Sequence, residues 1–92
     1  MTDFSHRIPL QIAAADYAGR AMEAPVDDER ICFGIVHTHL QLASAYPARQ
    51  LEQLYAQWNR MHPVHPAYDR AICIVLEHLD LVMRPAGLLE SA

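Results

Sequence analysis

The sequence predicts an all-α protein, a four-helix antiparallel bundle of two helical hairpins that dimerisation completes. Prolines divide the 92 residues into segments whose apolar side chains recur with helical periodicity, and no strand-like alternation of useful length occurs. Apolar residues make up 52% of the chain, which is more than one small core easily hides. We therefore expect surplus apolar surface to lie at an interface.

The first predicted helix runs from about residue 9 to residue 24, between Pro9 and Pro25. Its inward stripe combines small side chains with one large aromatic ring and consists of Leu10, Ala14, Tyr17, Ala18 and Ala21. Small side chains let a neighbouring helix approach closely. This helix should pack closely while contributing little apolar area.

The second predicted helix spans about residues 28–46, and Asp27 and Asp28 supply capping carboxylates at the positive end of its dipole. Its apolar side chains cover an arc of roughly 200°, whereas a surface helix needs a stripe of about 100°. We expect part of this arc to remain outside the core as a binding face made of Phe33, Val36 and Leu40.

The third predicted helix, at about residues 48–62, starts after Pro47 and has an ordinary apolar stripe of about 120°. The stripe consists of Leu51, Leu54, Tyr55, Trp58 and Met61. The opposite side is polar, so this helix should cover one side of the core.

The fourth predicted helix spans about residues 66–84, from Pro66 to the residue before Pro85, and the tail at 85–92 should be loose. Its apolar arc of roughly 220° is the widest in the chain. Its core stripe consists of Ile72, Val75, Leu76, Leu79 and Met83. Beyond this stripe it carries an extra strip of Ile74, His78 and Leu81, which we expect to contact a partner. Protonation of His78 would then weaken binding as the pH falls.

The net charge of −4 disfavours binding to nucleic acid, because such proteins concentrate positive charge on one face. The third helix nevertheless exposes side-chain types that contact bases and phosphates, among them Arg49, Gln53 and Arg60, with Glu52 opposing them. A helix-turn-helix DNA binder is therefore an alternative.

The sequence predicts a cytoplasmic protein without a membrane segment. It shows no signal peptide, and Glu77, His78 and Asp80 interrupt its most apolar stretch. Cys32 and Cys73 lack C-x-x-C spacing, so we interpret them as two thiols rather than a disulfide.

Six histidines raise the question of a metal site, for which His62 and His65 in a proline-containing loop are the best candidates. Zinc requires three or four ligands, and a third would have to come from His37 or Asp69. This spacing is not diagnostic, so we predict no metal and no cofactor. The chain also lacks a glycine-rich phosphate loop and a nucleophile motif, which predicts that it is not an enzyme.

These observations predict a small regulatory protein that binds another protein through an apolar helical face. The specific hypothesis is an inhibitor, or antiactivator, of a bacterial transcription regulator. A secretion-system chaperone or adaptor that binds a client segment is the alternative. We expect one surplus face to form a homodimer, and the same or another face to bind a protein whose identity the sequence does not give.

Overall fold

A computed structural model describes residues 6–61 and 65–83 of the chain, and this part is all-helical without strands. The helices are α1 (Arg7–Glu23), α2 (Asp27–Ala45), α3 (Leu51–Asn59) and α4 (Pro66–Met83), and a 3-10 turn at Ala48–Gln50 precedes α3. The predicted all-α class is confirmed. None of the helices in the described ranges is long and apolar enough to cross a membrane.

The first and third helices differ from the prediction at their ends for reasons of backbone hydrogen bonding. Helix α1 begins two residues before Pro9 because a proline is tolerated in the first turn, where backbone N–H groups have no partner within the helix. The third helix is shorter than predicted at both ends. It opens with the 3-10 turn, and near its end the amides of Arg60 and Met61 bond to carbonyls three residues earlier.

The core lies where α2 and α4 meet, with α1 packed along α2 and α3 packed against α4. Its completely or almost completely buried side chains come from every helix, and the largest are Leu10, Val36, Leu40, Leu51, Val75, Leu79 and Met83. The core stripe predicted for the fourth helix is therefore confirmed at Ile72, Val75, Leu79 and Met83, whereas Leu76 is only partly buried against the core.

The start of α1 is bonded to the end of α2 by two side chains. His6 donates from Nε2 to the carbonyl oxygen of Tyr46 over 2.7 Å, and Arg7 donates from Nε to the carbonyl oxygen of Ser44 over 3.0 Å. The last carbonyls of a helix have no partner within it, and the guanidinium charge also suits the negative end of the α2 dipole. These bonds hold the two helix ends together.

The predicted binding face on α2 needs a correction. Val36 and Leu40 have no accessible surface and belong to the core, so they cannot contact a partner in this structure. The arc of α2 is wide because α1 and α4 both pack against it. A helix between two neighbours uses a wide apolar arc, and here only its edge stays free, where Ile31 and Leu42 are each 46% exposed. Of the three predicted residues, only Phe33 remains partly accessible.

Candidate functional site

The best candidate for a functional site is a surface where α1, α2 and α4 meet around the ring of Tyr17. This ring packs against Phe33 of α2 with centroids 5.7 Å apart and planes tilted by 51°. It also meets the ring of His78 of α4 edge-on, at 5.6 Å and 84°. Both distances lie in the range of favourable aromatic pairs. Tyr17 thus joins two residues that the sequence placed on separate faces.

The surface continues along α4 through two aliphatic side chains. Ile74 and Leu81 lie four residues before and three residues after His78, so the three share one side of the helix. Ile74 is half-buried, whereas Leu81 is 63% exposed. We call Tyr17, Phe33, Ile74, His78 and Leu81 the Tyr17 surface.

Two arginines flank the Tyr17 surface. The guanidinium carbon of Arg20 lies 5.0 Å from the centroid of the Tyr17 ring, and that of Arg70 lies 5.7 Å from the centroid of the Phe33 ring. Both are within reach of a cation–π contact. Arg20 is ion-paired with Asp16 at 3.0 Å, whereas Arg70 has no ion pair within the described part of the chain. A guanidinium without a close ion pair therefore lies at the Phe33 end of the surface.

The buried thiol of Cys32 lies next to this charged end. Burial raises the pKa of Cys32, the charge of Arg70 lowers it to a smaller extent, and Glu29 raises it. The thiol is therefore held in its protonated form, which is a poor nucleophile. Cys73 is exposed, and both cysteines are free, as the sequence predicted.

A second aromatic group, around His39, belongs to the packing between α2, α3 and α4. The Nδ1 atom of His39 donates to the carbonyl oxygen of Ile35 over 2.9 Å. Its ring meets those of Trp58 and Tyr68 edge-on at 4.9 Å and 5.9 Å. One hydrogen bond and close ring packing satisfy this histidine, so we assign it a structural role.

Of the two histidines predicted as the best metal ligands, only His65 lies among the described residues, and its contacts do not support a metal site. His65 accepts the amide of Ala67 at Nδ1 over 3.1 Å and thereby caps the start of α4. In a neutral imidazole this leaves the proton on Nε2, where a metal would have to bind. His62 lies outside the described residues. No group of three or more potential ligand side chains occurs within residues 6–61 and 65–83.

An open depression between α1 and α2 is lined by Gln11, Ala14, Ala15, His37 and Gln41. His37 donates from Nδ1 to the carbonyl oxygen of Ala14 over 2.7 Å, which ties α2 to the middle of α1. The lining of the depression contains one titratable side chain, His37, and no nucleophile. The arrangement offers no pair of groups for acid–base or nucleophilic chemistry.

Sequence reasoning identified four of the five side chains of the Tyr17 surface but missed Tyr17 itself and Arg70. The available signal was that Tyr17 is the only aromatic residue in the mostly small inward stripe of α1. No protein-family model, curated protein or solved structure matches the chain.

Proposed function

We propose that this chain is a non-enzymatic regulatory protein that binds another protein through the Tyr17 surface. The observation that carries the proposal is the convergence of aromatic and aliphatic side chains from three helices around one partly buried tyrosine. Aromatic and arginine side chains dominate the binding energy of many protein interfaces. Side chains held in place by packing also lose little conformational entropy on binding.

The geometry suits a partner that presents an amphipathic helix. Leu81 offers an exposed aliphatic contact, and the partly exposed rings of Phe33 and His78 both pack against Tyr17. Arg70 would pair with a carboxylate of the partner and so fix the register of binding. The partner helix would lie along the Tyr17 surface by helix-in-groove packing.

The specific proposal is an inhibitor of a bacterial transcription regulator, acting in the cytoplasm as an antiparallel bundle of two hairpins. Contacts between the start of α1 and the end of α2 support the antiparallel arrangement of the first hairpin. The net charge of −4 favours approach to a basic surface, such as one that binds DNA. By covering the regulator, the protein would block its binding to DNA or its dimerisation.

The alternative is a secretion-system chaperone or adaptor that uses the same surface. The two functions differ in the form of the partner, because an inhibitor binds a folded domain and a chaperone binds an isolated client segment. DNA binding through the exposed polar face of α3 is a third hypothesis, which the net charge opposes. Retardation of DNA in a low-salt gel-shift assay would support it.

Affinity purification from the native host tests the proposal with two leucine variants. Leu81→Asp places a charge on the Tyr17 surface. Leu42→Asp makes the same change at an exposed residue of α2 that points about 180° away from Phe33 around the helix axis. We expect the wild type and Leu42→Asp to retain a common partner and Leu81→Asp to lose it. Circular dichroism would establish that both variants are folded. Equal recovery with both variants would contradict the proposal.

The form of the partner then separates the two functions. The recovered protein would be divided into its folded domains and its isolated segments, and each would be titrated with the wild type. Binding of a folded regulator domain supports the inhibitor. Binding of an isolated segment alone supports the chaperone.

A further inference from the structure

We infer that a second copy of this chain docks on the outer side of α1, away from the Tyr17 surface. One line of exposed residues runs along this side and consists of Ile8, Ile12, Ala15, Gly19 and Met22. We call it the outer strip. The intervals between its members are four, three, four and three residues, the spacing of a coiled-coil seam.

The outer strip is distinct from the Tyr17 surface. At 100° per residue, Ala15 and Tyr17 point about 160° apart around the axis of α1. Tyr17 faces α2 and α4, as its ring contacts with Phe33 and His78 show. The outer strip lies on the other side of α1 from Tyr17, and only Ala15 at its edge also lines the depression between α1 and α2. One copy could therefore occupy the outer strip while a different protein occupies the Tyr17 surface.

The exposure of the large side chains in the outer strip is unusually high. Ile8, Ile12 and Met22 keep 66%, 65% and 86% of their surface accessible. Single exposed apolar residues are normal on a protein surface. Three that follow one seam along a helix indicate contact with another helix.

The order of side-chain sizes along the outer strip suits contact with the same strip of a second copy. Large side chains lie towards both ends, and the small residues Ala15 and Gly19 lie between them. A contact about a twofold axis uses the same patch on both copies, so a strip with a small middle meets another small middle. A Cβ atom added at Gly19 would find no atom within 4 Å, so the space above it is open to a second helix.

The middle of the outer strip carries no unpaired charge, whereas the exposed Glu23 lies at its end, next to Met22, and has no ion pair among residues 6–61 and 65–83. Asp16, next to the small middle, is ion-paired with Arg20 of the same helix at 3.0 Å. Gln11, on the other edge, is neutral. A copy therefore brings no unpaired charge to the middle of the contact, where like charges from two copies would otherwise repel.

The size of the contact sets its strength. Helix α1 has 17 residues and is therefore about 25 Å long. One helix face of this length supplies less than the roughly 800 Å² that each partner contributes to a standard interface. The core of each copy is also complete without the contact. We therefore expect a reversible dimer of folded monomers.

Sedimentation equilibrium of the purified full-length chain, from about 1 µM to about 1 mM, tests the inference. The wild type should pass from monomer to dimer within this range, and Ile12→Asp should remain a monomer. Leu42→Asp, the same type of change at an exposed aliphatic residue of α2, should dimerise like the wild type. A wild type that stays monomeric throughout would overturn the inference, as would an Ile12→Asp variant that dimerises normally.

Gly19→Leu separates loss of the contact from loss of folding. Residue 19 is exposed, a Cβ atom there meets no atom within 4 Å, and leucine is a better helix former than glycine. The variant should therefore be at least as heat-stable as the wild type. In the dimer the added side chain would separate the two helices, so the dissociation constant should rise at least about tenfold. A stable Gly19→Leu dimer, or a dimer lost in Leu81→Asp instead, would place the contact elsewhere and overturn the inference.

Discussion

Two leucine-to-alanine substitutions test whether Leu40 belongs to the core and Leu81 to the exposed Tyr17 surface. Leu40 has no accessible surface, whereas Leu81 is 63% exposed. Both changes delete the same atoms, so any difference in the free energy of unfolding comes from the surroundings of the side chains. The comparison also tests whether Leu40 lies in the core, as the structure shows, rather than on a binding face, as the sequence predicted.

The expected magnitudes follow from burial. Leu40→Ala removes a completely buried side chain, which typically lowers the free energy of unfolding by about 2–5 kcal/mol. Leu81→Ala removes contacts from about a third of a side chain whose full burial is worth about 1.5–3 kcal/mol, so it should cost roughly 0.5–1 kcal/mol. A 92-residue domain is stable by roughly 5–14 kcal/mol, so the first loss is large and the second is small.

Urea unfolding followed by tryptophan fluorescence measures both effects. Trp58 is the only tryptophan and is buried, so its emission changes when the core opens. With a slope of about 2 kcal/mol per molar urea, the midpoint of Leu40→Ala should fall by at least about 1 M. That of Leu81→Ala should fall by no more than about 0.5 M. Equal shifts for the two variants would refute the assignment of Leu40 to the core.

The remaining predictions concern individual residues. Gly34→Ala has open space for the new methyl group within α2, so it should raise the free energy of unfolding by about 0.4–1 kcal/mol in the same urea assay. His6→Ala removes the hydrogen bond to the Tyr46 carbonyl and should lower it by about 1–3 kcal/mol, and a variant as stable as the wild type would show that this bond contributes nothing. A thiol reagent at neutral pH should modify Cys73 quickly and Cys32 only on unfolding. Because burial raises the pKa of folded Cys32, the unfolded chain loses this proton first as the pH rises. Stability should therefore fall above about pH 8.5, and this decline should be smaller in Cys32→Ala.

The helices and most of their inward residues could be predicted from the sequence, because helical periodicity is a local property. The prediction for α4 separated the core residues Val75 and Leu79 from the outward Leu81, as the structure does. Ile74, His78 and Leu81 lie beside the core stripe rather than within it, and their contact with a partner stays a prediction.

The errors arose where the answer depends on which helices are neighbours. The width of an apolar arc does not reveal whether its second half faces a partner or another helix of the same chain, and this is why Val36 and Leu40 were misplaced. Tyr17 was missed because its contacts come from two distant segments. The outer strip was missed because α1 was assigned a single inward stripe, although Ile8, Ile12 and Met22 follow a second one.

The affinity of Leu81→Asp for the recovered partner tests the central claim most directly, namely that the Tyr17 surface binds another protein. Burying the exposed 63% of Leu81 should contribute about 1–2 kcal/mol, and an aspartate there would add the cost of burying a charge. Isothermal titration calorimetry should therefore give a dissociation constant at least about tenfold higher for Leu81→Asp than for the wild type. Leu42→Asp should bind like the wild type. The same affinity for Leu81→Asp and the wild type would contradict the claim.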